Sequence, residues 1–170
     1  NPYPYVSKSI DCFIAQFFRQ TGNEALIEEY GLQSFTLNVL DKRQTLTEKL
    51  VSLIRFSLSD NYIYDVAAKI RHFYDLHYLL QDPECVEYLK SEQFKTDFNT
   101  LLAHDRETFD KPEGWNTMEI GQSPLLSDFS NLWSYLKDTY LKELPAIAFS
   151  EIPKEDVVAK SFEEIINHIL

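Results

Sequence analysis

Apolar residues recur at helical spacing over most of this chain. From Thr45 nearly to the end, apolar residues recur at the three- and four-residue intervals of amphipathic helices. The repeat predicts helices over residues 45–58, 65–81, 84–104, 123–142 and 154–170. Only four glycines are present, which leaves few positions for hairpin turns. We therefore expect a mainly α protein, a bundle of five or six helices with one residual strand.

The first 44 residues are patterned differently. Bulky apolar residues at helical spacing predict a helix over residues 5–19; they are Ile10, Phe13, Ile14, Phe17 and Phe18. Phe35, Leu37 and Val39 then alternate with polar residues, which predicts a strand over residues 34–40. No second convincing strand follows in the sequence, and a strand alone leaves its backbone groups unpaired. We expect its partners to lie in a sheet outside this sequence.

Charge and composition narrow the class of protein. The chain has 27 acidic and 16 basic residues, a formal charge of −11, and such a field repels phosphate backbones. Nucleic-acid binding by this domain itself is therefore the least favoured function. The 12 phenylalanines and 10 tyrosines predict a folded domain. Within it, Trp115 ends a turn-rich loop over residues 110–115 and is expected to fold back onto the bundle.

Cysteine use and hydropathy address the cellular compartment. Cys12 and Cys85 fit neither a disulfide framework nor a paired zinc pattern, which favours a reducing compartment and predicts a cytoplasmic protein. No stretch of about 18 residues is apolar enough to span a bilayer, so no membrane association is expected. The oligomeric state cannot be read from these features.

Lys49 breaks the pattern of the first predicted helix of the bundle. The apolar arc of residues 45–58 contains Leu50, Leu53 and Phe56, and Lys49 falls inside that arc. In one interpretation the methylene stem of Lys49 lies along apolar neighbours while its ammonium reaches water. In the other, the ammonium points into a cleft and meets an anion such as a phosphate.

Asp75 breaks the pattern of the next predicted helix. It lies opposite the core face, on a side that Ala68 and Leu79 make less polar than a solvated surface, so its carboxylate needs a partner. Arg71 stands four residues earlier and could form a local ion pair with it. A partner on another helix is the alternative.

Several catalytic and metal-binding motifs are absent from the sequence. There is no His-Glu-x-x-His helix, no Gly-x-Ser-x-Gly elbow and no Walker-type lysine loop. His72 and His77 are five residues apart and point to different faces of a helix, so we expect core or surface histidines. No metal ligand is predicted in this chain.

Two segments together resemble a known family. The segments 39–50 (Val-Leu-Asp-Lys-Arg-Gln-Thr-Leu-Thr-Glu-Lys-Leu) and 69–76 (Lys-Ile-Arg-His-Phe-Tyr-Asp-Leu) resemble AbiEii/AbiGii-type nucleotidyltransferase toxins. In that family a strand precedes a Thr-x-x-Glu-Lys-Leu helix start, and Arg-His-x-x-Asp-Leu stands on the next helix. Weaker similarity at residues 127–129 and 162–167 extends the resemblance over residues 35–170.

The resemblance implies transfer of a nucleotidyl group from a nucleoside triphosphate to an RNA or protein acceptor. It implies active-site roles for Lys49, as a contact of the triphosphate, and for Asp75; Arg71 would be a further phosphate contact. Magnesium and the nucleoside triphosphate are the implied cofactor and substrate, and a cognate antitoxin is an implied partner.

The sequence also departs from the family pattern. Family members carry a Gly-Ser motif and an Asp-x-Asp pair on a mixed sheet, and this sequence has no Asp-x-Asp pair. We therefore expect a C-terminal region, with residues 1–44 a helix and edge strand left from the catalytic domain and residues 45–170 a C-terminal helical domain. Such a chain would bind no cofactor and catalyse no transfer by itself.

A function of another class stays open. The chain could be a non-catalytic helical domain that binds an antitoxin or a second copy of itself. Its acidic field would attract a basic protein, and its tyrosines and phenylalanines suit an interface. Lys49 and Asp75 would then be structural residues.

Overall fold

The computed structural model describes residues 5–148 and 151–169. Contacts divide the chain into two compact units, residues 1–44 and residues 45–170. Most of the described residues are helical, so the predicted mainly α class is confirmed.

The first unit contains a two-stranded antiparallel sheet and two short helices. Its elements are β1 (Tyr5–Ile10), α1 (Phe13–Gln20), α2 (Ala25–Glu29) and β2 (Phe35–Leu40). Strand β1 pairs with β2 so that Tyr5 faces Leu40 and Ile10 faces Phe35. Across the pair, the Ser7 hydroxyl donates to the Asn38 side-chain oxygen at 2.8 Å.

The strand predicted over residues 34–40 is confirmed, whereas the helix predicted over residues 5–19 is wrong in its first half. Residues 5–10 form β1, and the helix begins at Phe13. The apolar spacing that predicts the helix lies almost entirely within α1, and β1 is fixed by pairing with a strand distant in sequence. The expectation that β2 has no partner in this chain is therefore also wrong.

The second unit is helical. Its helices are α3 (Lys42–Ser57), α4 (Tyr62–Ala67), α5 (Ile70–Leu79), α6 (Pro83–Leu89), α7 (Glu92–Thr108), α8 (Pro124–Ser127), α9 (Phe129–Glu143) and α10 (Glu155–Ile169). The first turn of α3 lies before residue 45, where the second unit begins. Three short 3₁₀ turns, Trp115–Thr117, Ile120–Gln122 and Leu144–Ala146, lie in the connections.

Three helices that the sequence predicts as continuous are each interrupted. The helix over 65–81 is divided into α4 and α5, that over 84–104 into α6 and α7, and that over 123–142 into α8 and α9. Local capping explains the second break, because the Ser91 hydroxyl accepts the backbone N–H of Phe94 at 3.2 Å and begins α7. The final residue of the helix predicted over 154–170 lies outside the described residues.

An aromatic cluster forms the centre of the helical unit. Phe73 on α5 is 1% exposed, and its ring lies 4.8 Å from Phe162 on α10 and 5.3 Å from Trp133 on α9. Phe129 on α9 stacks on Phe73 with centroids 6.1 Å apart. These contacts fix α5 against α9 and α10, and they determine which side of α5 faces outward.

The loop after α7 packs against the helices as predicted. Trp115 is fully buried, and its indole N–H donates to the Phe109 carbonyl at 2.9 Å. The Arg55 guanidinium lies 4.3 Å from the centre of the Phe109 ring and 3.4 Å from a carboxylate oxygen of Asp105. Burial lowers the pKa of Arg55, and the neighbouring Asp105 partly offsets that effect.

Hydropathy of the helices bears on membrane insertion. Within residues 5–148 and 151–169, no helix combines the length and the apolar character that crossing a bilayer requires.

The aromatic cluster should dominate the stability of the helical unit. Phe73→Ala removes a fully buried ring and should lower the free energy of unfolding by about 3–5 kcal/mol. Tyr64→Ala, at a side chain that is 77% exposed on α4, should change it by less than about 0.5 kcal/mol. Urea unfolding followed by circular dichroism measures both values. Equal effects of the two substitutions would contradict this assignment of the core.

Candidate functional site

Helix α3 places Thr45 and Lys49 one turn apart on the same side. Leu46 and Leu50 are fully buried, so the core face of α3 fixes the rotation of the helix. Thr47 is also fully buried, and its hydroxyl lies 3.1 Å from that of Tyr88. Residues four apart are neighbours on a helix surface, and Thr45 and Lys49 therefore form a short stripe beside the core.

Helix α5 presents a second stripe toward the same space. Its core face consists of Ile70, Phe73, Leu76 and His77, all buried. Asp75 lies on another side and is half-buried. The predicted position of Asp75 away from the core face is therefore observed.

Lys49 and Asp75 meet across these two helices. The Lys49 ammonium donates to Asp75 Oδ2 at 2.6 Å, and the two side chains are 20% and 30% exposed. A charge-assisted hydrogen bond of this length is a strong one. Arg71 is exposed, and among the ion pairs of the described residues none joins it to Asp75. The partner of Asp75 is thus on another helix, and the short helix α4 lies between the two in sequence.

The pair lies in an open cleft of about 620 Å³. All of the residues that line this cleft belong to the second unit: Thr45, Lys49, Tyr74, Asp75, Tyr78, Leu79 and Asp82. The cleft combines one cation, two carboxylates, one threonine, two tyrosines and one leucine. This composition suits a ligand that has both a charged and a flat apolar part.

The ammonium of Lys49 has binding capacity beyond Asp75. A lysine ammonium carries three N–H donors, and in the described part of the chain only the bond to Asp75 is formed by Lys49. Because the side chain is 20% exposed at an open cleft, the remaining donors can reach a ligand. An anion could bind Lys49 without displacing Asp75.

His72 is a half-buried neighbour of the pair that stays neutral. Its Nδ1 atom is buried and has no hydrogen-bond partner within the described residues. Burial, and next the charge of Lys49, lower the pKa of His72 to about 4. At neutral pH the imidazole therefore adds no positive charge beside Lys49.

Comparison with known proteins adds an independent result. The model of the family described as "Nucleotidyl transferase AbiEii toxin, Type IV TA system" matches residues 1–167. The chain belongs to this family. Searches of curated proteins and of solved structures found no match. Membership of the AbiEii family, which the segments around Lys49 and Asp75 predict, is confirmed.

AbiEii membership implies nucleotidyl transfer, with a nucleoside triphosphate and a metal ion as general requirements and an antitoxin as a partner of the system. The described residues contain no group of three or more histidine, cysteine, aspartate or glutamate side chains that could hold a metal ion without help from a ligand. Asp75 is already bound to Lys49.

Sequence reasoning missed the tyrosines of the cleft. Tyr74 and Tyr78 are four residues apart and flank Asp75, so the helical spacing placed them on its side of α5. Aromatic residues are more often core residues, and nothing in the sequence distinguished these two from Phe73. Phe73 is buried and the two tyrosines line the cleft because α9 and α10 pack against the Phe73 side of α5.

The lowered pKa of His72 predicts a dependence of stability on pH. Between about pH 6.5 and pH 4 the unfolded chain binds a proton at His72 that the folded chain does not, so stability falls as the pH falls through this window. His72→Gln should reduce the slope by up to about 1.4 kcal/mol per pH unit. Burial also lowers the pKa of His77, which is present in the wild type and in the His72→Gln variant. His77 therefore also makes stability fall as the pH falls, and some slope remains in the variant. Urea unfolding at several pH values measures the slopes, and identical slopes would contradict the assignment.

Proposed function

We propose that this chain forms part of a nucleotidyltransferase in which Lys49 contacts the triphosphate of the donor nucleotide and Asp75 completes the site. The acceptor is an RNA or a protein. The observation that supports the proposal is the 2.6 Å contact between Lys49 and Asp75 in an open cleft of an AbiEii-family chain.

Electrostatics explain why a lysine is needed at this position. The chain carries a formal charge of −11, which repels a triphosphate at long range. Recognition must therefore come from a cation in direct contact, where attraction is least screened. Lys49 provides a compact charge with two further donors. Exposed Arg71, which is one turn before Asp75 and not among the residues that line the cleft, would be a second phosphate contact in this proposal.

Asp75 has two roles in the proposed reaction. Its Oδ2 atom holds the Lys49 ammonium in the cleft, which orients the cation before the nucleotide binds. Its Oδ1 atom would accept the proton of the acceptor hydroxyl. The acceptor oxygen then bonds to the α-phosphorus, the bond to the β-phosphate oxygen breaks, and pyrophosphate leaves with its negative charge next to Lys49.

We further propose that residues 1–44 belong to the catalytic nucleotidyltransferase domain and that residues 45–170 form a helical domain. The division of the chain into two compact units at Gln44 and Thr45 supports this organisation. In this proposal residues 1–170 alone do not catalyse transfer, because the sequence lacks the Asp-x-Asp pair that holds the metal ions in the family.

Substitution of Lys49 tests the proposed role directly. In the complete gene product, Lys49→Ala should abolish nucleotidyl transfer, a loss of at least about a hundredfold, because the developing pyrophosphate charge is no longer neutralised. Transfer is measured with nucleoside triphosphate labelled at the α-phosphate. Lys95→Ala, which removes an exposed lysine paired with Glu92, is the matched control and should leave the rate unchanged.

The fold must be shown to survive this substitution. The Lys49–Asp75 pair is partly exposed, so its loss should lower the free energy of unfolding by about 1 kcal/mol or less. Wild-type transfer by a folded Lys49→Ala protein would refute the proposed function.

A second candidate function is a protein-binding domain. Several large apolar side chains of the first unit are exposed, including Phe13 at 79%, Phe17 at 55% and Phe35 at 51%. Exposed aromatic residues in an acidic chain suit a basic partner such as an antitoxin. Lys49 and Asp75 would then serve the fold alone.

Light scattering and calorimetry distinguish this candidate. A basic antitoxin should bind the chain, and Phe13→Ser together with Phe17→Ser should weaken binding at least tenfold, because two exposed rings are removed from the interface. Tyr64→Ser, an exposed aromatic outside the first unit, is the control. A chain that stays monomeric and binds no antitoxin at low salt would exclude the interaction function.

A further inference from the structure

Two tyrosines form an aromatic wall on one side of the cleft. Tyr74 and Tyr78 lie one turn apart on α5, with ring centroids 4.8 Å apart and an interplanar angle of 62°. His77 contacts Tyr78 from another direction at 5.3 Å and 75°. Its own position is fixed by a 2.7 Å contact between its Nδ1 atom and the Ser161 hydroxyl. The Tyr78 ring is therefore held by edge contacts with two neighbouring rings.

Tyr78 remains partly exposed although its ring is held in this way. Tyr78 is 44% exposed, whereas Phe73 on the same helix is 1% exposed and Tyr140 is fully buried. The hydroxyl of Tyr140 has a structural partner, the Pro153 carbonyl at 2.9 Å. Exposed aromatic surface forgoes the favourable free energy of burial, about 25 cal/mol for each Å². A ring that is fixed in place but left open to a cleft is suited to stacking with a flat ligand.

The charges of the cleft give a bound nucleotide one orientation. The Lys49 ammonium, held by Asp75, marks the end that attracts phosphates. Tyr78 and Leu79 follow Asp75 by three and four residues, about 4.5–6 Å of helical rise. Asp82 lies beyond them, accepts the backbone N–H of Glu84 at 2.9 Å, and repels phosphate from that end. A nucleotide whose phosphates bind Lys49 would therefore have its base near the two tyrosines.

Tyr74 is also uncharged at neutral pH. Burial raises the pKa of Tyr74 above its ordinary value, and so does the neighbouring Tyr78. Its phenol stays protonated and adds no negative charge that would repel phosphate.

We propose that Tyr78, held in place by Tyr74 and His77, stacks on the base of the nucleotide whose triphosphate Lys49 contacts. This inference rests on the proposed function. Every base has a π face, so stacking favours nucleotide over polyphosphate without selecting one base strongly. Tyr78 would then be a substrate-binding residue, and selection among the four bases would have to come from hydrogen bonds elsewhere.

Binding calorimetry separates the base from the phosphates. The probes are inorganic tripolyphosphate and the four nucleoside triphosphates, and each is titrated into the folded, wild-type complete gene product. We expect every nucleoside triphosphate to bind more tightly than tripolyphosphate, by between about fivefold and a hundredfold. Raising the salt concentration should weaken both kinds of ligand in parallel, because stacking is not screened by salt.

Substitutions assign that difference to a residue. Tyr78→Leu keeps apolar volume but loses the ring, and it should remove the preference for nucleotide while leaving tripolyphosphate binding unchanged. Tyr78→Phe should keep the preference. Tyr135→Leu, at a side chain that is 56% exposed on α9 and outside this cleft, is the matched control. Circular dichroism confirms that each variant is folded.

The outcomes distinguish this inference from the proposed function. If Lys49→Ala abolishes tripolyphosphate binding and Tyr78→Leu leaves the nucleotide preference intact, the stacking inference is overturned and the role of Lys49 stands. If Lys49→Ala leaves tripolyphosphate binding unchanged, the proposed function is refuted, whereas loss of the preference in Tyr78→Leu would still support stacking. A folded wild-type protein that binds none of the probes overturns both.

Discussion

Burial of the Phe73 ring determines the geometry on which the rest of the helical unit depends. The ring contacts Phe129 and Trp133 on α9 and Phe162 on α10, so α5 is held by two helices along one face. A helix fixed along one face has no freedom to rotate, and Asp75 and Tyr78 are therefore held on the side of the cleft. The same constraint explains why a core substitution such as Phe73→Ala would disturb the site as well as the fold.

The ion pair between Lys49 and Asp75 has little reason to exist for stability alone. Partly buried pairs lose hydration, and that loss offsets much of their mutual attraction. An apolar residue at position 49 would extend the arc of Leu46, Leu50 and Leu53, all fully buried, at no such cost. A charged pair in a cleft that stabilises the fold so little is better explained by binding or catalysis than by stability. The neutral state of His72 beside them fits the same interpretation, because a second cation would compete for Asp75.

The sequence predicted the parts of the structure that depend on local pattern. Lys49 was visible because it interrupts an apolar arc, and Asp75 because its side of α5 is too apolar for a free carboxylate. That the two meet could not be derived, since Arg71 at four-residue spacing was an equally good partner for Asp75. Strand β1 was missed because its pairing with β2 joins residues about 30 apart, from Ser7 to Asn38. The breaks before α5 and α7 were missed for a different reason, because the apolar spacing continues across both. The break before α7 could have been predicted, since Ser91 is a recognisable helix cap.

If a strongly acidic chain binds a triphosphate as proposed, its attraction for phosphate must act over a short range. The formal charge of −11 opposes the approach of any polyanion, so a single ammonium gives limited affinity by charge alone. Stacking on a base depends little on the long-range field or on salt. An aromatic wall beside the ammonium would therefore compensate for the limited affinity of the ammonium alone. Ligands that carry phosphate without a base, including inorganic polyphosphate and the outward-facing backbone of a duplex, would gain nothing from that wall. In the proposed site, the repulsive field and the stacking surface would act together to favour a free nucleotide over other phosphate-bearing molecules.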